Sequence, residues 1–256
     1  MDKNEVRQAV FEKLRKGVAR PDSRFDMDLG EFIADFVGSG QALGRLIRSD
    51  FWRQADTVFI TPDNCLERLR YLALWQEKTI IVSTYGIRRG FVLLGPGIPK
   101  SRYLYAATLD GMENEGAIIS LQSIKSIFGK IDLLVTGTGA VTIGGIRIGK
   151  GHGYFDLEWA MFYSIGVVSA KTPVVAVVHD CQVVTEQFSA DPFDTACDLI
   201  CTPRRMIKVD EPHKPTLGVV WDSLQPGMLG SIPPLRELQA MQEEVVGMPT
   251  RLSSQL

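Results

Sequence analysis

The chain has 256 residues, 45% of them hydrophobic, and a formal net charge of −2. This length and apolar content allow one large globular domain or two small ones with a substantial core. The nearly balanced charge gives no general attraction to nucleic acid or to an anionic membrane, so neither is predicted as a partner. No apolar run reaches the roughly 18 residues of a membrane span, and residues 1–20 lack the apolar core of a signal peptide. The sequence therefore predicts a cytoplasmic protein.

The N-terminal segment predicts an amphipathic helix. Within residues 3–19, apolar residues such as Val6 and Val10 fall on one helical face and charged residues fall elsewhere. Lys3 and Arg7 are four residues apart, so on a helix they lie on the same side. The pair is either part of a solvated face or two cations directed at a ligand, and the pattern leaves both interpretations open.

After a polar connecting segment at 21–40, short apolar strands alternate with helices. The predicted strands are 57–60, 79–82, 91–94, 132–136, 140–143, 173–178, 199–201 and 217–220. The predicted helices are 42–48, 66–75, 118–128, 154–168 and 234–246. Apolar strands that alternate with helices indicate a mostly parallel sheet with helices on both faces. The predicted fold class is therefore α/β, with three layers.

The same pattern predicts the domain organisation. Residues 1–223 are assigned to a single α/β domain, and residues 224–256 to a C-terminal extension that contains Gly, Pro, Ser and a short helix. Such an extension is expected either to pack on a partner subunit or to be partly mobile. Formation of a homo-oligomer stays open on this basis.

The segment 147–156 carries the strongest functional signal. Three of its residues are alternating glycines: Gly149, Gly151 and Gly153. Alternating glycines let backbone N–H groups line a concave surface, and the positive end of the helix that follows adds to the attraction for an anion. Three further residues add side-chain donors: Arg147, Lys150 and His152. The segment therefore predicts a cradle for phosphates or another polyanion.

Two common nucleotide motifs do not fit this segment. A Walker A loop needs Ser or Thr directly after its lysine, whereas Gly151 follows Lys150. The dinucleotide pattern G-x-G-x-x-G fails because Gly153 comes one residue too early. The loop is glycine-rich and cationic, but it belongs to neither large class.

A polar group follows the predicted strand 173–178. His179 and Asp180, at the strand end, are interpreted as polar groups that line the site. Cys181 shares a strand face with His179, which leaves open both a nucleophilic and a buried structural thiol. The remaining cysteines lack the pair spacing of a zinc site and are predicted to be reduced core residues.

The order of these motifs resembles that of the 5-formyltetrahydrofolate cyclo-ligase family, also called methenyltetrahydrofolate synthetases. The motifs are, in chain order, Lys3-x-x-x-Arg7, Asp132-Leu-Leu-Val-Thr, Arg147-Ile-Gly-x-Gly-x-Gly-Tyr-Phe-Asp156, Val177-Val-His-Asp-Cys-Gln-Val-Val184 and Asp194-x-x-x-Asp198-Leu-Ile-Cys-Thr-Pro203. Within the family, Asp156-Leu157-Glu158 is similar to the methenyltetrahydrofolate-synthase-domain-containing branch.

The resemblance implies an α/β fold and an ATP- and Mg²⁺-dependent ligase of one-carbon metabolism. Such enzymes convert 5-formyltetrahydrofolate to 5,10-methenyltetrahydrofolate and release ADP and phosphate. The formyl oxygen attacks the γ-phosphate, N10 closes on the activated carbon, and phosphate leaves. These steps require charge neutralisation, alignment and exclusion of water.

Together with the residue patterns, the resemblance gives a set of expected site residues. Those expected to bind ATP are Lys3, Arg7, Gly149, Gly151, His152, Gly153 and Tyr154. Those expected to act in catalysis are Arg147, Lys150 and Asp156. Those expected to bind the folate are Asp63, Tyr154, His179 and Asp180. Asp156 either approaches Mg²⁺ or is an acidic residue favoured by the helix dipole, and Tyr154 either meets the ligand or packs on its helix face.

Three positions of the glycine segment depart from typical family members. Leu157 stands where they have an arginine, Phe155 where they have a second tyrosine, and His152 where they usually have glycine. One charged phosphate contact contributes about 1.5–3 kcal/mol, so its loss can abolish turnover. A second hypothesis is therefore a non-catalytic folate- or nucleotide-binding protein. A third is another activity on the same general fold, such as sugar-phosphate isomerisation or CoA transfer.

Overall fold

A computed structural model describes residues 2–247 of the chain. The strands are β1 (Thr57–Ile60), β2 (Thr79–Ser83), β3 (Phe91–Leu94), β4 (Ala117–Ile119), β5 (Leu133–Thr136), β6 (Ala140–Thr142), β7 (Arg147–Ile148), β8 (Val174–Val177), β9 (Val183–Val184), β10 (Leu199–Cys201) and β11 (Met206–Lys208). The α-helices are α1 (Lys3–Arg15), α2 (Ser39–Leu46), α3 (Asp50–Arg53), α4 (Glu67–Trp75), α5 (Tyr103–Ala106), α6 (Leu109–Glu115), α7 (Leu121–Phe128), α8 (Tyr154–Ser164), α9 (Met228–Ser231) and α10 (Pro233–Gly247). Within the described range, no helix is both long enough and apolar enough to cross a bilayer.

The main sheet has eight strands in the order β11-β10-β8-β5-β1-β2-β3-β4 within residues 2–247. The five neighbours from β10 to β2 run parallel, and the pairs β10–β11, β2–β3 and β3–β4 at the two edges are antiparallel. In the central register, Phe59 of β1 lies opposite Ile81 of β2 and Leu134 of β5. A smaller sheet of β7, β6 and β9 carries the glycine segment. The predicted α/β class with a mostly parallel sheet is confirmed.

Both faces of the main sheet are buried, which explains the apolar strands. Phe59 points to the face covered by α7, α8 and α10, where it meets Phe162 of α8. Val58 and Ile60 point to the opposite face, which α2 and α4 cover. Successive strand residues alternate between faces, so a central strand between two helical layers has to be apolar throughout.

Helix α1 lies outside these layers and closes a third apolar cluster. Asp2 begins the helix, since its carboxylate accepts hydrogen bonds from the N–H groups of Asn4 and Glu5, each at 2.8 Å. Val6 and Val10 pack in a cluster that includes Ala140 of β6 and Ile148 of β7. This packing fixes the first turn of α1 beside the glycine segment.

Several predicted boundaries are wrong for local reasons. The predicted helix 118–128 is two elements, because Ser120 accepts a hydrogen bond from Ser123 N–H at 3.0 Å and begins α7 there. The predicted helix 154–168 ends at Ser164, shortly before Gly166 turns the chain with φ +79°. Residues 217–220 are not part of any sheet, and β11, α5 and α6 were not predicted.

The C-terminal helices contribute to the core. Ile232, Leu235 and Leu238 are at most 1% exposed and belong to the same cluster as α7 and α8. The Glu237 carboxylate accepts hydrogen bonds from the N–H groups of Leu121 and Gln122 at 3.0 and 2.9 Å, so it caps α7. The predicted helix 234–246 corresponds to α10, and residues 248–256 of the expected extension lie outside the described residues.

This packing makes α10 a contributor to the stability of the domain. The Leu235→Ala variant is expected to lower the free energy of unfolding by about 2–5 kcal/mol, because it leaves a cavity in the core. Urea denaturation measures the loss, with Leu229→Ala as the control because Leu229 is 37% exposed. An unchanged urea denaturation midpoint for Leu235→Ala would show that packing of α10 contributes little to the stability of the domain.

Candidate functional site

A cavity of about 300 Å³ opens at the carboxyl ends of neighbouring parallel strands. The turns after β1, β2 and β5 form one wall, and α1 with residues 147–156 forms another. Strand ends that meet at one edge of a parallel sheet are the usual ligand site of α/β proteins. Most of the predicted site residues lie here: Lys3, Arg7, Asp63, Arg147, Gly149, Lys150, Gly151, His152, Gly153, Tyr154 and Asp156.

The glycine segment leads directly from β7 into α8. Gly151 has φ +107° and Gly153 has φ +68°, conformations that glycine adopts without steric cost. The start of α8 lies beside the cavity. In the described structure no side chain there accepts a hydrogen bond from the first N–H groups of the helix. Arg7 Nε donates a hydrogen bond to Gly149 O at 2.6 Å and holds the loop against α1. The loop can therefore offer N–H groups and a helix dipole to an anion.

Lys150 places a cation inside the cavity. Its Nζ donates a hydrogen bond to Glu31 O at 2.7 Å and lies 5.3 Å from the ring centroid of Tyr85. Burial lowers the pKa of Lys150, while the charges of Asp63 and Glu31 oppose that shift. Among the described residues no carboxylate forms a salt bridge with Lys150, and Asp63 and Glu31 act on its charge only from a greater distance.

Arg147 and Asp156 form a buried ion pair instead of facing a ligand as free charges. The Arg147 side chain is 6% exposed, contacts the Asp156 carboxylate and lies 4.0 Å from the ring centroid of Phe155. Arg147 Nε donates to Thr195 O at 3.0 Å, and Thr195 N–H donates to Asp156 Oδ1 at 2.9 Å. Burial raises the pKa of Asp156, and the neighbouring Arg147 charge opposes that rise. The pair joins β7, α8 and the chain around Thr195.

Lys3 is also paired with carboxylates. Its Nζ lies 2.7 Å from Asp191 Oδ2 and 2.8 Å from Asp194 Oδ2. Burial lowers the pKa of Lys3, but hydrogen bonds to these two carboxylates outweigh it, and the net shift is upward. Lys3 therefore ties the start of α1 to the segment that contains Asp194, at the rim of the cavity.

Asp63 sits at the end of β1 and is held from several sides. Its Oδ2 accepts hydrogen bonds from Thr61 Oγ1 and from Gly137 N–H, the latter at 2.8 Å. A Cβ atom on Gly137 would lie 2.7 Å from a carbon of Ile33, so only glycine allows this close approach. Burial raises the pKa of Asp63, opposed by Thr61, Gly137 and Lys150. The carboxyl is thereby fixed against the strand ends.

Arg70 supports the same turn from inside the protein. It is 1% exposed and donates to the carbonyl oxygens of Ala107, Thr61 and Asp63 at 2.8, 2.8 and 3.2 Å. A buried guanidinium needs such acceptors, because an unsatisfied buried charge is costly. Sequence analysis missed this residue, which fixes the geometry of the turn that carries Asp63.

Aromatic rings line the outer part of the cavity. Tyr154 stacks on His152 with 5.3 Å between ring centroids, and Phe25 stacks on Tyr85 with 5.6 Å. Phe32 lies 6.1 Å from Phe25. The faces of these aromatic side chains suit stacking against a flat ring of a ligand. Sequence analysis missed Phe25, Phe32 and Tyr85, although Tyr85 follows the end of β2 and could have been found by its position.

Glu158 and Ser83 form a second polar group that sequence analysis did not single out for the site. They line the cavity and are 3% and 1% exposed. Burial raises the pKa of Glu158 to about 8, with the Ser83 hydroxyl beside it opposing that shift. The two side chains lie beside each other, and Glu158 Oε2 and Ser83 Oγ have no further hydrogen-bond partner among the described residues. A glutamate inside the otherwise apolar run of α8 was the available signal.

His179 and Asp180 do not line this cavity, contrary to expectation. His179 Nδ1 accepts a hydrogen bond from Cys181 N–H at 3.2 Å and caps the 3₁₀ turn Asp180–Gln182. Asp180 Oδ1 accepts a hydrogen bond from Thr202 Oγ1 at 2.7 Å. Burial raises the pKa of the Cys181 thiol, which argues against a nucleophilic thiolate. All four cysteines of the chain are free.

The described residues do not form a dedicated Mg²⁺ site. No group of three or more His, Cys, Asp or Glu side chains among them could hold a metal ion. Oδ1 of Asp156, the predicted metal ligand, already accepts from Arg147 and Thr195. Mg²⁺ usually keeps several water ligands and binds through one or two carboxylates together with substrate phosphates.

The fold and the cavity define an α/β protein with a glycine-rich, cationic loop beside a cavity at its strand ends. Residues 1–203 match the sequence profile of the 5-formyltetrahydrofolate cyclo-ligase family, and the chain belongs to that family. It is similar to the methenyltetrahydrofolate synthase domain-containing protein of Bos taurus, with 33% identity over 95% of this chain and 63% of that protein. The Homo sapiens protein of the same name is 37% identical over 83% of this chain and 55% of its own length.

A solved structure shares the fold. The NMR structure of Aquifex aeolicus 5,10-methenyltetrahydrofolate synthetase matches with a TM-score of 0.52 and 18% identity, over 87% of this chain and all of that chain. The chain spans between 55% and 63% of the two curated relatives described above.

The raised pKa of Glu158 predicts a pH-dependent stability. The folded state keeps its proton up to about pH 8, whereas the unfolded chain releases it near 4.5. The free energy of unfolding of the wild type should therefore fall relative to Glu158→Gln as pH rises through this window, by at most about 1.4 kcal/mol per pH unit.

Urea denaturation at several pH values measures this difference. Glu12→Gln is the matched control because Glu12 is exposed on α1. If the free energies of unfolding of the wild type and Glu158→Gln differ by the same amount from about pH 4.5 to pH 8, the predicted pKa shift of Glu158 is contradicted.

Proposed function

We propose that the chain catalyses the ATP-dependent cyclisation of 5-formyltetrahydrofolate to 5,10-methenyltetrahydrofolate, with release of ADP and phosphate. One observation carries the proposal: Lys150, the glycine loop and the start of α8 border one cavity, in a chain that belongs to the cyclo-ligase family. The same chemistry on a related N-formyl folate would use the same groups.

The phosphate side of the proposed site is formed by the loop 149–153 and two cations. Backbone N–H groups of the loop and of the first turn of α8 would donate to phosphate oxygens. Lys150 would compensate the negative charge of the transferred phosphoryl group, since no carboxylate among the described residues forms a salt bridge with it. Arg7 holds the loop through Gly149 O and adds a second positive charge.

The folate side is formed by the aromatic rings and by Asp63. Tyr154, Tyr85 and Phe25 offer flat faces to a fused ring system and exclude water around it. Asp63 is held rigidly by Thr61 and Gly137 and can orient a polar group of the substrate. The reaction needs alignment of two ligands, and a rigid site favours that alignment.

Mg²⁺ enters this proposal only with ATP, where it would neutralise phosphate charge. The residues of the cavity supply positioning and positive charge. A cytoplasmic location and a soluble folate as the small-molecule partner belong to the same proposal.

Removal of the cavity lysine tests the activity. With Mg-ATP and 5-formyltetrahydrofolate, the wild type should form the methenyl product, followed by its absorbance, together with ADP. Lys150→Ala is expected to lower kcat/KM by about 100-fold or more, since an uncompensated transition-state charge costs several kcal/mol. Lys125→Ala, an exposed lysine of α7, should leave the rate unchanged.

Absence of product and of ADP above the Lys150→Ala background would refute the enzymatic proposal. Equal rates for Lys150→Ala and Lys125→Ala would refute the role given to Lys150 while leaving the activity in place.

A second candidate function is a non-catalytic folate- or nucleotide-binding protein. It is favoured by the pairing of Arg147 with Asp156, by the pairing of Lys3 with two aspartates, and by Leu157 in place of the family arginine. These features leave fewer free positive charges for a phosphoryl group than the family pattern would supply.

Titration calorimetry separates the two candidates. Tight binding of Mg-ATP or 5-formyltetrahydrofolate without ADP formation would support the binding protein. ADP formation that requires 5-formyltetrahydrofolate and is lost in Lys150→Ala would exclude it.

A further inference from the structure

Residues 24–33 form a strap along one side of the cavity, outside any helix or strand. Asn64, in the turn after β1, bonds to the chain next to both ends of this strap. Its Nδ2 donates a hydrogen bond to Asp22 Oδ2 at 2.7 Å, and its N–H donates to Ile33 O at 3.1 Å. The ends of the strap are therefore fixed at the same turn that carries Asp63.

Glu31 connects the strap to two further walls of the cavity. Its carbonyl oxygen accepts a hydrogen bond from Lys150 Nζ at 2.7 Å and lies 3.1 Å from Tyr85 Oη. The Glu31 carboxylate also lies 3.1 Å from Tyr85 Oη, and either acceptor joins Tyr85 to the strap. A carbonyl oxygen has two lone pairs, so the lysine and the tyrosine can bind it at once.

The two donors belong to different sides of the proposed site. An ammonium group has three N–H donors, so Lys150 keeps two for a phosphate while one stays on Glu31 O. Tyr85 stacks on Phe25 of the strap with 5.6 Å between ring centroids. A flat ligand ring that packs on Phe25 or Tyr85 would therefore hold the same strap that holds Lys150.

The strap is anchored on one side only, which lets it respond to ligands. Leu29 and Phe32 are 1% and 5% exposed and pack in the apolar cluster of α1, whereas the charged residues of the strap are exposed. Segments with few buried contacts open more readily than the core. A ligand that binds the closed strap better shifts the strap towards that state, and a second ligand then meets a strap that is already ordered.

We propose that the strap couples the two sides of the cavity, and that Tyr85 is a positioning residue for Lys150 through Glu31. A ring on the aromatic side fixes Glu31 O, which fixes the Lys150 ammonium, and a phosphate on Lys150 fixes the strap in return. The two ligands therefore bind with positive cooperativity, which has the same size in either order. The inference deepens the proposed function and rests on it for the choice of 5-formyltetrahydrofolate and ATP.

Calorimetry on the full chain measures the cooperativity. The probes are 5-formyltetrahydrofolate and the Mg²⁺ complex of β,γ-imido-ATP, which does not transfer its phosphoryl group. In the wild type, either probe at saturation should lower the dissociation constant of the other by about fivefold or more. Tyr85→Phe keeps the ring and removes the O–H donor, so this factor should fall below about twofold. Tyr105→Phe is the matched control and should keep the wild-type factor, because the Tyr105 hydroxyl bonds to Asn114 outside the cavity.

Hydrogen exchange of residues 24–33 gives a readout that needs no folate. The β,γ-imido-ATP complex alone should slow exchange of the strap amides in the wild type by about threefold or more, because the phosphate holds Lys150 and Lys150 holds Glu31 O. Lys150→Met keeps the aliphatic part of the side chain and removes the ammonium group. At a probe concentration that protects the loop 149–153 in both proteins, strap exchange should slow only in the wild type. A change of packing alone would alter exchange equally with and without the probe.

Four results would overturn the inference. They are a wild-type factor near one, equal factors for wild type and Tyr85→Phe, equal slowing of strap exchange in wild type and Lys150→Met, and failure of the wild type to bind either probe. Equal factors would show that the two ligands interact by direct contact instead of through the strap. If Tyr85→Phe does not fold, as judged by thermal unfolding, the exchange comparison decides alone. Failure of the proposed activity is distinguishable, because it shows as cooperative binding and slowed strap exchange without ADP formation.

Discussion

The buried ion pair between Arg147 and Asp156 is the interaction on which the site depends. It joins the end of the small sheet to the first turn of α8, and Thr195 bonds to both partners. The glycine segment is therefore fixed at both ends, and its loop keeps one shape beside the cavity. Removal of Asp156 would leave the buried Arg147 guanidinium without its carboxylate, which costs up to about 3–5 kcal/mol. The pair is a scaffold for the loop, and the free charge of the loop is left to Lys150.

This arrangement changes how the basic residues are interpreted. In the sequence, Lys3, Arg7, Arg147 and Lys150 look equivalent, as four cations around a glycine loop. In the structure, Lys3 and Arg147 bind carboxylates of the protein and Arg7 bonds to the loop backbone. Lys150 donates a hydrogen bond to the carbonyl oxygen of Glu31. A cation that has already paired with a carboxylate contributes little further charge to a phosphate. The cavity cations that are not paired with a carboxylate therefore include Lys150 and Arg7, both beside the glycine loop and the start of α8.

Helix α8 serves the core and the cavity at once. Trp159 and Phe162 are fully buried in the layer that covers the sheet, whereas Tyr154 and Glu158 line the cavity. A helix that is apolar on nearly all sides is held rigidly, which suits a site that needs fixed geometry. The cost is a glutamate buried beside Ser83, with a carboxyl whose pKa burial raises to about 8.

The sequence by itself determined the α/β class, the glycine loop and the family, because strand apolarity, glycine spacing and motif order are local patterns. It could not determine which charges are free, because Asp191 and Asp194 lie 188 and 191 residues from Lys3 and are brought to it only by folding. It also assigned His179 and Asp180 to the site, although their side chains cap a turn and bind Thr202. Glu158 and Ser83 became visible as a pair only in the tertiary structure, since α8 packs across β2. Segments that are distant in the sequence become neighbours only when the chain packs. Packing therefore decided which of the predicted residues line the cavity.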